Sequence, residues 1–177
     1  MYTVLSSRRV FDGRAFSLRV DEVQMPDGRQ ASWEILGHTG GVAMVPLDVD
    51  DNVLMVRQYR HAAGVELLEL PAGTVKPGED YAVCAARELQ EEVGLAAAQL
   101  ELLGEFFLAP GYSSELMRVY LATGLTPASL PQDADESIAV ERVPFRQAVR
   151  LAINGGLRDS KSIAGLLLAA HWRGQEK

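Results

Sequence analysis

The chain of 177 residues contains one cysteine, Cys84. That excludes an internal disulfide framework and fits a reducing compartment. Cys84 lies one turn before Glu88 near a helix start, where a thiol pKa can fall, yet it reads as a small packing residue. His38, His61 and His171 show no ligand spacing and read as structural or surface residues. No apolar run is long enough for a membrane span, and the first residues lack a secretory pattern. A cytoplasmic location without membrane association is therefore expected. Basic residues are the minority, 17 against 24 acidic, for a net charge of −7. A general nucleic-acid binder would need a basic patch. A phosphate substrate stays open, because a metal gathered by acidic residues inverts the local field. The hydrophobic fraction of 47% describes an ordinary globule with room for one sound core and a small appendage.

Two regions differ in pattern. Residues 1–40 read as a strand-rich appendage, with Asp12-Gly13 and Asp27-Gly28 as hairpin turns flanking runs at 14–23 and 29–36. A three-stranded sheet of this kind is marginal alone and must pack on the main domain or on another subunit. Residues 41–177 interleave strands at 42–49, 53–59, 102–108, 116–121 and 138–143 with helices at 145–153 and 163–172. Gly155-Gly156 closes the first of these helices, and Ser160 or Ser162 caps the second. Such interleaving predicts an α/β sandwich. Residues 126–136, with two prolines and a run of acids, read as a loop.

The most specific stretch is PAGTVKPGEDYAVCAARELQEEVGL, residues 71–95. Gly73 is followed by five residues, Glu79, seven residues, and then Arg87-Glu88-Leu89-x-Glu91-Glu92-x-Gly94-Leu95. The spacing predicts a helix over 81–93, with Asp80 or Glu79 at its N-terminus and Gly94 as its stop. Ala82, Ala86, Leu89 and Val93 make one apolar face. Glu88, Glu91 and Glu92 share another, where like charges cost roughly 0.2–0.5 kcal/mol per pair. A solvated face is the ordinary explanation of a Glu-rich helix. Gly73 and Glu79 at fixed offsets upstream decide for a metal instead. Oxygen ligands suit Mg²⁺ or Mn²⁺, and Gly73 permits the Ala72 carbonyl to turn toward it. Arg87, four residues before Glu91, is placed to hold a carboxylate in one rotamer.

These positions match the signature of the Nudix hydrolases without departure. The resemblance implies a Nudix-type α/β/α sandwich with an N-terminal antiparallel β-strand appendage (1–40) and a hydrolase domain (41–177). It also implies hydrolysis of a nucleoside diphosphate linked to another moiety. VRQYRH at 56–61, ELLELPAG at 66–73, APGYSSE at 109–115 and RVYLA at 118–122 resemble the ADP-ribose pyrophosphatase branch. In that branch the N-terminal strands help to build an intertwined homodimer. The likeness covers about residues 10 to 170. It implies Mg²⁺-dependent cleavage of ADP-ribose to AMP and ribose 5-phosphate. The alternatives are another nucleotide sugar or coenzyme, such as GDP-mannose, NADH or FAD, or a non-catalytic ADP-ribose sensor.

On this reading Glu88, Glu92 and the Ala72 carbonyl ligate metal, with Glu91 a further ligand or an orienter. Metal-activated water attacks a phosphorus in line. Some relatives use a loop glutamate as base, which makes Glu136 the first candidate and Asp135 the alternative. Arg57 and Arg60 are three apart on one strand and cannot face the same way unless the strand twists or ends. Arg60 is assigned to the pyrophosphate. Glu115 either caps a loop or binds ribose hydroxyls. Relatives often carry an arginine before the glutamate at the position of Glu34, where this chain has Trp33. The indole either stacks on adenine or is core, and Phe16 is a second stacking candidate.

Overall fold

The computed structural model describes residues 1–132 and 137–175. Two compact units emerge: Met1–Gly40 with Phe107–Leu116, and Gly41–Phe106 with Met117–Lys177.

In the first unit β1 (Thr3–Asp12), β2 (Ser17–Gln24) and β3 (Gln30–Gly37) form an antiparallel sheet in that order. Gly28 closes the β2–β3 hairpin at φ 86°, a conformation glycine adopts without steric cost. The loop at 107–116 hydrogen-bonds to β3. The Leu36 amide donates to the Tyr112 carbonyl at 2.7 Å, and the Ser114 amide donates to the Leu36 carbonyl at 3.0 Å. β1 is exposed along its whole length.

The second unit contains β4 (Gly41–Pro46), β5 (Asn52–Arg60), β6 (Val65–Glu69), β7 (Ala72–Thr74) and α1 (Tyr81–Glu88). A π-helical turn (Leu89–Val93), β8 (Leu95–Phe107), β9 (Leu116–Pro127), β10 (Ala139–Pro144), α2 (Phe145–Ile153) and α3 (Ser160–Gln175) follow. Its sheets run β7-β4-β9-β8 and β10-β5-β6. β4 is parallel to β9 and antiparallel to β7, and every residue of β4 is buried. A continuously apolar strand is what coverage on both faces requires. Val42 and Met44 pack with Cys84, Ala85 and Leu89 of the α1 segment. Val45 and Val119 face α3 at Gly165, where a Cβ would lie 2.7 Å from Leu70 Cδ1. Helices on opposite sides of this strand make the α/β/α sandwich.

The helix expected over 81–93 is α-helical only to Glu88. A π turn follows, in which Leu89 is fully buried and Glu92 is bonded to the first residue of β7. Such insertions are frequent at functional sites. The cap of α3 also differs from expectation. Asp159 Oδ1 accepts the Ser162 amide at 3.0 Å. The Ser162 hydroxyl instead accepts the Leu70 amide at 2.6 Å, a long-range role. β9 runs to Pro127, taking in the first residues of the expected loop. Among the described residues no helix is long and apolar enough to cross a membrane.

Candidate active site

Asp80 caps α1 as expected, its Oδ1 accepting the Ala82 amide at 2.8 Å. Gly94 ends the π turn at φ 75°. Between β7 and α1 the chain turns at Gly78, and Glu79 anchors that turn by accepting the Lys76 amide at 2.8 Å. Arg87 is the hub. Its Nε and Nη2 donate to the two Glu79 oxygens at 2.9 and 3.1 Å, a bidentate pair. Its Nη1 donates to Glu88 Oε1 at 2.6 Å and to Glu91 Oε2 at 2.7 Å. The Arg87 bonds, above all, hold the Glu79 carboxyl down at about 2, against an ordinary 4.5. Arg87 is correspondingly raised, first through Glu79. Glu79 is thus an ionised strut.

Glu92 is 2% exposed, and its Oε2 accepts the Ala72 amide at 2.9 Å. This bond ties the π turn to β7. Gly73 follows, and a Cβ there would lie 1.9 Å from Glu88 Cδ. Glycine is needed at this position because the Glu88 carboxyl occupies the space of a side chain. Cys84 is fully buried, and burial pushes its thiol up to about 12. That makes it an inert packing residue.

Arg57 and Arg60 turn to opposite faces of β5. Arg57 pairs with Glu141 of β10. Arg60 donates to Glu69 Oε2 from Nε at 3.0 Å and from Nη2 at 2.6 Å. Glu69 lies outside the motif spacing, but a carboxylate inside the apolar run ELLEL needs a cation if that run is buried.

Trp33, Glu34, Phe16 and Glu115 belong to the first unit. Trp33 is 40% exposed, with its ring 5.6 Å from Tyr2. Glu34 lies opposite Val20 in the β2–β3 register. Phe16 stacks at a tilt on Phe11. Glu115 Oε1 is 3.9 Å from His38 Nδ1. Glu136 and Asp135 lie outside the described residues.

Among the described residues no three His, Cys, Asp or Glu side chains stand in a metal-holding arrangement. Arg87 engages Glu88 and Glu91, and the Ala72 amide engages Glu92. The donor chemistry nevertheless fits a hard divalent cation, since three carboxylates and a backbone carbonyl are all oxygen ligands. The close seat of Glu88 over Gly73 keeps one of those carboxylates against the Ala72–Gly73 backbone.

A helix carrying these carboxylates on an α/β/α core, behind a glycine that admits Glu88, defines a class. The NUDIX domain family matches residues 37–165, and the nucleoside diphosphate sugar hydrolase N-terminal domain matches residues 2–36. The chain belongs to the Nudix hydrolase family, whose members generally need a divalent metal. It is 41% identical to an ADP-ribose pyrophosphatase of Mycobacterium tuberculosis (strain ATCC 25618 / H37Rv), over 94% of this chain and 82% of that protein. It is 32% identical to the ADP compounds hydrolase NudE of Escherichia coli (strain K12), over 96% and 92%. A crystal structure of an ADP compounds hydrolase superposes with a TM-score of 0.88 at 29% identity, covering 98% of this chain and 95% of that one.

Proposed function

We propose that this enzyme hydrolyses the pyrophosphate bond of ADP-ribose, or of a closely related nucleoside diphosphate sugar, to AMP and a sugar phosphate. The observation that carries this reading is the carboxylate cluster around Arg87 and Ala72, in a chain similar over nearly its whole length to hydrolases of ADP-ribose and ADP compounds. Glu88, Glu92 and the Ala72 carbonyl would hold Mg²⁺ or Mn²⁺, with Glu91 a further ligand or an orienter. When bound, that cation offsets the charge of the two phosphates and acidifies the attacking water. Arg87 and Glu79 keep the cluster's frame rigid. Arg60 binds the pyrophosphate, because the charge of Glu92 acts on it, whereas Arg57 is turned to the other face of β5 toward Glu141. Glu136, or Asp135, takes the water's proton. Trp33, Glu34 and Glu115 serve the adenosine and ribose groups. A cytoplasmic location goes with this reading.

Product analysis with Mg²⁺ tests it, over ADP-ribose, GDP-mannose, NADH, FAD, CoA and diadenosine polyphosphates in oxygen-18 water. ADP-ribose is expected to dominate, with label in AMP, marking attack at the adenosyl phosphorus. A different preferred substrate would overturn the substrate assignment while leaving the metal cluster intact, and Trp33 would be the first residue to mutate.

The active form in this reading is a homodimer built through the N-terminal sheet. Tyr2, Val4, Leu5, Val10 and Phe11 are all exposed in the first unit, an apolar surface that a second copy would cover. Sedimentation at twice the chain mass is expected at micromolar concentration. A monomer there would overturn the dimer.

A further inference from the structure

Glu69 is 2% exposed in an apolar strand, so its carboxylate needs cations, and it has two. Arg60 donates to Oε2 from Nε and Nη2, and Lys161 Nζ lies 3.0 Å from the same oxygen. Lys161 is itself 2.9 Å from Asp159 Oδ1, which also accepts the Ser162 amide and so fixes the start of α3. The charges therefore alternate along Arg60, Glu69, Lys161 and Asp159. Next to this chain, the Ser162 hydroxyl holds the Leu70 amide, two residues before Ala72. The Arg60 bonds to Glu69 use Nε and Nη2, so Nη1 lies outside that pair, and the side chain is 39% exposed. The charges of Glu92 and Asp159 also act on this guanidinium.

The geometry points to Lys161 as a positioning residue for substrate: it holds Glu69, and through Glu69 it sets the Arg60 guanidinium with Nη1 left for the pyrophosphate. This rests on the assignment of Arg60 to the pyrophosphate above. The physical reason is twofold. A carboxylate shared between two cations cannot follow Arg60 if that side chain swings. It also neutralises Arg60 less than it would alone, leaving more positive field for the substrate.

Steady-state kinetics on Lys161→Met, Lys161→Arg, Arg60→Ala and the Arg60→Ala/Lys161→Met double variant test the idea, with thermal unfolding of each. Lys161→Met should raise KM about tenfold with kcat within about threefold, the split that marks lost binding. Lys161→Arg should restore KM. In the Arg60→Ala background the methionine should add nothing further, because residues acting through one another are not additive. If Lys161→Met does not fold, Lys161→Gln, which keeps a donor without the charge, is read by the same split. An unaltered KM in the folded Lys161 variant, or independent effects in the double variant, overturns the role of Lys161. If Arg60→Ala raises KM and the Lys161 variant does not, Arg60 stands and only Lys161 falls. If Arg60→Ala leaves KM unchanged, the pyrophosphate assignment fails and takes this inference with it.

Discussion

Glutamine in place of Glu92 should lower turnover by about a thousandfold while leaving the fold intact, the several kcal/mol expected when metal-assisted charge stabilisation is lost. The side chain does two things that glutamine separates. Its Oε2 accepts the Ala72 amide inside the protein, and the amide oxygen of glutamine can accept the same bond. Its negative charge is what a divalent cation uses, and glutamine lacks it. The expected outcome of Glu92→Gln is therefore a melting temperature close to that of the parent and near-complete loss of hydrolysis at any Mg²⁺ concentration. Leucine at the same position removes both roles and should also destabilise the protein by about 1–3 kcal/mol, the cost of an unsatisfied buried amide. Near-normal hydrolysis by the glutamine variant would sink the assignment of Glu92 to the metal. A glutamine variant as unstable as the leucine one would show that the carboxylate's role is structural.

Alanine at Gly73 is the second large effect, and its cause is steric. The added Cβ would fall 1.9 Å from Glu88 Cδ and 2.1 Å from Oε1. Glu88 cannot stay, and moving it breaks the 2.6 Å bond to Arg87. Displacing a catalytic group by about 1 Å can cost about a hundredfold in rate, and the shift here is larger. Activity of Gly73→Ala should therefore fall at least about a hundredfold with the fold kept, because the group that gives way is the outer part of the flexible Glu88 side chain. Adding Glu88→Ala to Gly73→Ala removes the clash. The pair should not regain activity, because the carboxylate is gone. Thermal melts and initial rates on the three variants decide the matter. Substantial activity in Gly73→Ala would mean that Glu88 works from a different rotamer than the one seen over Gly73.

Much of the site was legible because its determinants are local. Asp80, Gly94 and the interval from Gly73 to Glu92 lie within a few helical turns, and caps and glycine stops act over that range. Arg87 with Glu91 is an i, i+4 pair, visible in any helical reading. Where local reasoning failed, a distant contact had intervened. A simple 3.6-residue period carries the α-helix to Val93, whereas the chain makes a π turn from Leu89, with Leu89 buried in the core and Glu92 holding the Ala72 amide. Ser160 or Ser162 is the cap a local reading offers, yet Asp159 takes that place and Ser162 serves Leu70, 92 positions away in sequence.

By itself, then, the sequence determined the class of chemistry: carboxylates at fixed helical intervals, a glycine behind them and a capped helix to carry them. Only the tertiary structure decided which arginine of β5 faces Glu69, that Lys161 joins them, and that the 107–116 loop binds β3. The reason is physical. Caps, turns and helical pairs draw their energy from neighbours a few residues away, whereas a buried carboxylate takes whichever cations the packing of distant elements brings to it.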